Sequence, residues 1–198
     1  MQKRLAARLE DDGYGRLIGR EPNLTAEAAE KLYPNLKPKV RDAMIKAHND
    51  VWEFGMKNNR EMVIAIDEST GKTLLTSKGE TKQVTINISK FHEKKYITIH
   101  NHPSGNSFSV ADMVTLNNAK GINAIGVQGH NGIAYSLRIG DGKRIQMSSE
   151  RIQKMLIALR EDLISEIYEQ GMSRNELSHK VVKEIADYYG WDYKRYAP

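Results

Sequence analysis

Tyr96-Ile97-Thr98-Ile99-His100-Asn101-His102-Pro103-Ser104-Gly105-Asn106-Ser107-Phe108-Ser109-Val110-Ala111-Asp112 is the stretch that decides how this chain is read. Tyr96 to His100 is β-branched and aromatic at nearly every position and predicts a strand. Pro103 and Gly105 turn the chain, and Ser109 opens a helix running to about Ala119. Residues two apart on a strand project to the same side, so His100 and His102 at the strand end can face one point. Asp112 falls in the first turn of the helix and can fold back towards them. Two histidines and one carboxylate leave a fourth zinc position open for water, the arrangement of a catalytic site. A zinc so held brings its water to a pKa near ~7. Ser109-x-x-Asp112 is also an ordinary helix capping box, and the two roles do not exclude each other.

Outward from this stretch the hydrophobic period changes several times. Upstream, Val40, Met44, Ala47, Val51 and Phe54 recur at helical spacing, which predicts an amphipathic helix over about 39–56. Met62 to Ile66 is a short apolar run ending at Asp67-Glu68-Ser69-Thr70-Gly71, a buried strand and its turn, with Lys72 to Thr76 as hairpin partner. Val84 to Ile88 alternates as a further strand. Downstream, Ile122–Val127 and Ile133–Ile139 are strands joined through Gly129-His130-Asn131-Gly132. The ends are helical: a short helix over about 2–11, a second from Thr25 to Tyr33, a stripe from Ile152 through Ile167, and a last helix from Ser173-Arg174-Asn175-Glu176, itself a capping-box start. The expected fold class is α/β (α+β), a mixed β-sheet flanked by helices, with a helical N-terminal arm (1–38), a core (39–145) and C-terminal helices (146–198).

Composition narrows the chemistry. The 198 residues include no cysteine, which removes disulfides, thiolate zinc sites and cysteine nucleophiles together. Any metal must be held by His, Asp or Glu. No apolar run approaches the roughly 20 residues that span a bilayer, and the N-terminus lacks an apolar signal core, so no membrane role and a cytoplasmic protein are expected. The net charge of +5 is mild. Lys72, Lys78, Lys82, Lys90, Lys94 and Lys95 are spread through a strand region and read as a solvated face, so a nucleic-acid partner is not expected.

Activating water needs a proton acceptor, and Glu61, Glu68 and Glu80 are the candidates. Glu61 directly precedes the strand Met62–Ile66, a rigid element on which a general base is well held, whereas Glu68 and Glu80 fall in turn segments.

Glu61 with its strand, His100-x-His102-Pro103 and Ser109-x-x-Asp112 together resemble the signature of the JAB/MPN (JAMM) zinc metalloprotease superfamily. The helix over 39–56 fits as well, because that family places a helix just before its glutamate strand. The wording His-Asn-His-Pro-Ser-Gly is most similar to the RadC-like branch, and the Ser-Phe-Ser-x-x-Asp form resembles domains attached to phage head morphogenesis proteins. The resemblance spans about residues 39–140. It implies a JAB/MPN-like (cytidine-deaminase-like) core and a zinc hydrolase acting on a peptide or isopeptide bond of a protein or peptide substrate, in several branches a ubiquitin-like conjugate. It implies that His100, His102 and Asp112 bind Zn2+, that Glu61 is the base, and that Ser109 donates a hydrogen bond to the tetrahedral oxyanion. The sequence departs in one place: Pro103 to Phe108 is six residues, one fewer than the family usually has. The shorter loop bears on the substrate groove more than on the metal site. The alternative function is a non-catalytic interaction or assembly module of a phage or mobile element.

The remaining histidines have plainer readings. His130 belongs to a turn, His48 and His179 to helices, and His92 to a charged stretch. The tail Tyr188-Tyr189-Gly190-Trp191-Asp192-Tyr193 is expected to pack on the molecule, with a partner interface as the alternative.

Overall fold

The computed structural model describes residue 22 and residues 24–79, 94–140, 144–145, 148–171 and 173–198. The helix expected over about 2–11, most of the N-terminal arm, the strand 84–88, Glu80 and His92 lie outside the described residues.

The described chain folds into one mixed sheet of six strands with five helices. Helices α1 (Ala26–Leu32) and α2 (Pro38–Asn58) lead into strand β1 (Met62–Asp67) and its antiparallel partner β2 (Thr73–Lys78). Strand β3 (Tyr96–His102) pairs antiparallel with β1, with Val63 opposite His100. Helix α3 (Val110–Asn118) then crosses to β4 (Ile122–Gly129), which runs parallel to β3. Strand β5 (Ala134–Arg138), helices α4 (Ser149–Gln170) and α5 (Arg174–Tyr189), and strand β6 (Asp192–Tyr196) complete the chain. The spatial order is β2-β1-β3-β4-β5-β6.

Strands β1 and β3 are buried almost without interruption because helices cover both faces of the sheet. Alternation along each strand divides its side chains between two cores. Met62, Ile64 and Ile66 of β1 and Ile97 and Ile99 of β3 face Val40, Met44, Ala47 and Val51 of α2. Ala65, Tyr96, Ile125, Val127, Tyr135 and Leu137 face Met113 and Leu116 of α3, Ile152 of α4 and Val181, Val182 and Ile185 of α5. His100 and His102 share the phase of Tyr96, so they project on the α3 side, and Asn101 projects on the α2 side.

The expected hairpin, helices and strands around the motif are present within a few residues of the expected limits. The sheet contains one strand the sequence reading does not include. Asp192 to Tyr196, which begins inside the tail read over Tyr188 to Tyr193, forms β6 and pairs along β5, Tyr193 opposite Leu137. The capping box expected at Ser173 is half made: its hydroxyl accepts from Glu176 N–H, while the Glu176 carboxylate is taken by Arg195 of β6.

Candidate metal centre

The site sits at one end of the sheet, where β3 ends, β1 begins and α3 starts. His100 Nε2 lies 3.0 Å from His102 Nε2. Asp112 offers one carboxylate oxygen to each ring, Oδ1 at 3.2 Å from His100 Nε2 and Oδ2 at 3.5 Å from His102 Nε2. A tetrahedral zinc with bonds of 2.0–2.1 Å separates its ligand atoms by about 3.3 Å. The three side chains therefore converge at ligand spacing and could hold a metal ion. All three are largely withdrawn from solvent, with side-chain exposures of 8%, 12% and 17% for His100, His102 and Asp112.

Local structure fixes each group. The His102 ring presents Nδ1 to the backbone carbonyls of Asn106 and Ser107 at 3.1 and 2.9 Å. Carbonyls only accept, so Nδ1 carries the hydrogen and, in the neutral ring, Nε2 keeps its lone pair for the shared point. Asp112 is held by the N-terminus of α3: Ser109 N–H and Ser109 Oγ–H both donate to its Oδ2 at 2.7 Å, and Asp112 N–H donates back to Ser109 Oγ at 3.2 Å. The capping box is thus complete, and it aims the carboxylate at the histidines. In this arrangement the hydroxyl of the exposed Ser109 is spent on Asp112.

The electrostatics favour positive charge at the point of convergence. Burial alone would push the His102 pKa down, but Asp112, then Glu61 and the Asn106 carbonyl, raise it to about 9. Burial opposes ionisation of Asp112 too, yet His100 and His102 hold its carboxyl well below the ordinary range.

Glu61 is 9% exposed. Burial raises its pKa, His102 and His100 pull it back, and Asp112 raises it again, so its carboxyl belongs to the same electrostatic unit as the three ligand candidates. Glu68 does not: it pairs with Arg138 and Asn123 near the opposite end of the sheet.

Two features at the site escaped the sequence reading. Asn101, fully buried, brackets Glu61. Its Oδ1 accepts from Met62 N–H at 2.8 Å, and its Nδ2 donates to the Arg60 carbonyl at 3.1 Å. The β1–β3 ladder ends at Val63 and His100, so a side chain continues the pairing where the backbone stops. His130 Nε2 lies 3.1 Å from Asn101 Nδ2, which turns a supposed turn residue into part of this clamp. Gly55 of α2 makes room, since a Cβ there would collide with Asn101 and His130. The only hint in the sequence was phase: a residue between two facing histidines must point to the other side of the sheet. The second feature is the loop 103–108, which the C-terminal elements grip. Gly105, at φ +70, could not carry a side chain without striking Asn131.

No family model, no curated protein and no solved structure matches the chain.

Proposed function

We propose that the chain is a JAMM-type zinc hydrolase that cleaves a peptide or isopeptide bond with activated water. The convergence of His100, His102 and Asp112 at ligand spacing, beside a buried Glu61, carries this reading. The cysteine-free chain offers imidazole and carboxylate donors here, a set that suits zinc. When bound, zinc would supply a Lewis acid and lower the pKa of its water. Glu61 would accept a proton from the attacking water and return it to the leaving amine. Burial moves its pKa up, the direction that strengthens it as a proton acceptor. Asp112 and the two imidazoles would orient the centre. Ser109 would turn its hydroxyl from Asp112 to the oxygen that becomes negative in the transition state.

The test has two stages. Protein purified without chelators should contain about one zinc per chain, and Asp112→Ala should lose it. Glu61→Gln should keep the zinc and lose hydrolysis of peptide and isopeptide substrates. Full activity in Glu61→Gln would remove the glutamate from the mechanism. A protein that takes up no zinc even when zinc is added back would end the hydrolase reading.

A further inference from the structure

All three polar groups of Ser107 are spoken for. Its carbonyl accepts from His102 Nδ1 at 2.9 Å. Its N–H donates to Ser178 Oγ of α5 at 3.2 Å. Its own Oγ lies 3.0 Å from the Tyr193 hydroxyl of β6. Tyr193 in turn lies 2.8 Å from His179 Nδ1 of α5. Ser107 is 1% exposed, so none of these bonds has water as a ready substitute. One residue thus joins a ligand candidate on one side to two C-terminal elements on the other.

We propose that Ser178, Tyr193 and His179 are positioning residues of the metal centre, acting through Ser107 to hold the His102 ring with Nε2 on the metal. The inference rests on reading His100, His102 and Asp112 as that centre. It makes α5 and β6, which lie outside the segment that resembles a known family, part of the site.

The geometry supports a directed chain. Burial and Arg195 lower the His179 pKa, which favours the neutral ring that can accept at Nδ1. The Tyr193 hydroxyl can then donate to His179 and accept from Ser107 Oγ–H, satisfying every member. The Tyr193 ring is held separately, edge-on to Phe108 at 6.1 Å and stacked on Tyr135 at 6.4 Å. Removing the hydroxyl alone therefore leaves the ring packing in place but frees Ser107. A loosened Ser107 lets its carbonyl leave Nδ1, and the imidazole keeps only the longer bond to the Asn106 carbonyl, 3.1 Å, to set its tautomer and direction. Outer partners of this kind are worth about 10–100-fold in metal affinity.

The experiment is zinc affinity by competition with a chelator, together with the absorption spectrum of the cobalt(II)-loaded protein, on the full chain. Tyr193→Phe should bind zinc about 10-fold more weakly and shift the cobalt bands. Ser178→Ala, a milder change should Tyr193→Phe fold poorly, should move both readouts the same way. Tyr188→Phe, at a tyrosine 71% exposed on α5, should match the parent protein in both. A purely packing role would lower the melting temperature of the metal-free variants without altering affinity or spectrum. Parent-like zinc affinity and cobalt bands in folded Tyr193→Phe and Ser178→Ala would overturn the proposal. A parent protein that binds neither metal would overturn the metal centre itself, and this inference with it.

Discussion

Asp112 shows how one residue can satisfy two demands at once. As the third residue of α3 it completes a capping box with Ser109, and as a carboxylate it faces two imidazoles. The cap donors from Ser109 both fall on Oδ2, which leaves Oδ1, 3.2 Å from His100 Nε2, free of them. Asn101 is the counterpart at Glu61. Its two bonds pin the peptide groups on either side of Glu61. Asn101→Ala should therefore leave zinc stoichiometry unchanged while turnover falls by up to about 100-fold, the cost of a misplaced catalytic group. Faster hydrogen exchange at the Met62 amide, which loses its acceptor, would accompany it. Unchanged exchange and unchanged turnover would show that the β1–β2 pairing alone holds Glu61. The histidine pair and the aspartate were legible in the sequence because their spacing on a strand end and a helix start is local, and Glu61 because it directly precedes an apolar strand. Asn101, His130 and His179 were not, because each acts on a partner far along the chain.

Helix α2 lies against the sheet through a buried polar layer as well as an apolar stripe. His48 is fully buried, its Nε2 2.8 Å from the Tyr33 hydroxyl and its Nδ1 3.0 Å from Gln128 Oε1. The sequence reading of His48 as a helix residue without a functional role holds for its place, but not for its energetics. Burial, against a smaller opposing contribution from Gln128, lowers its pKa to about 4. Between the ordinary value near 6.5 and about 4 the unfolded chain binds a proton that the folded chain does not. Stability from this residue is therefore complete above about pH 6.5 and falls as pH drops towards 4. The loss approaches about 3 kcal/mol, at about 1.4 kcal/mol per pH unit. Urea unfolding of the parent protein at pH 7 and pH 4.5, beside His48→Gln, should show this slope in the parent and a reduced slope in the variant. Equal slopes would place the acid sensitivity elsewhere. The β1–β2 turn behaves in the same manner at lower pH. Ser69 Oγ–H and the Ser69 and Thr70 amides donate to Asp67, holding its pKa at about 2. That contribution is present above the ordinary carboxylate pKa and is lost only as pH falls towards 2. Asp67→Asn should cost about 1–3 kcal/mol at pH 7, read from the same unfolding curves.

At the scale of the molecule, β6 closes one side of the sheet. It covers the edge of β5 that would otherwise present unpaired backbone groups. It also brings Trp191, 4% exposed, into the core and Arg195 to Glu176 of α5. Truncation after Gly190 removes all of these together. The shortened protein should melt at a lower temperature and self-associate, measured by scanning calorimetry and light scattering. An unchanged melting temperature and a monodisperse particle would mean that β6 is an accessory strand. The strand escaped the sequence reading because Asp192-Tyr193-Lys194-Arg195-Tyr196 is short and polar, and its partners lie on β5 and α5.

The sequence by itself determined the mixed α/β architecture and the set of residues that meets at the site. Apolar period and turn residues are local properties, and a His-x-His strand end followed by a Ser-x-x-Asp helix start leaves the three side chains few places to go. Tertiary structure alone decided which asparagine clamps Glu61 and how the C-terminal helix and strand reach the loop behind His102. Those relations join residues 39, 71 and 86 positions apart in the chain. Hydrophobic packing of α2 and α5 on opposite faces of the sheet brings them together, and no periodicity within a segment encodes it.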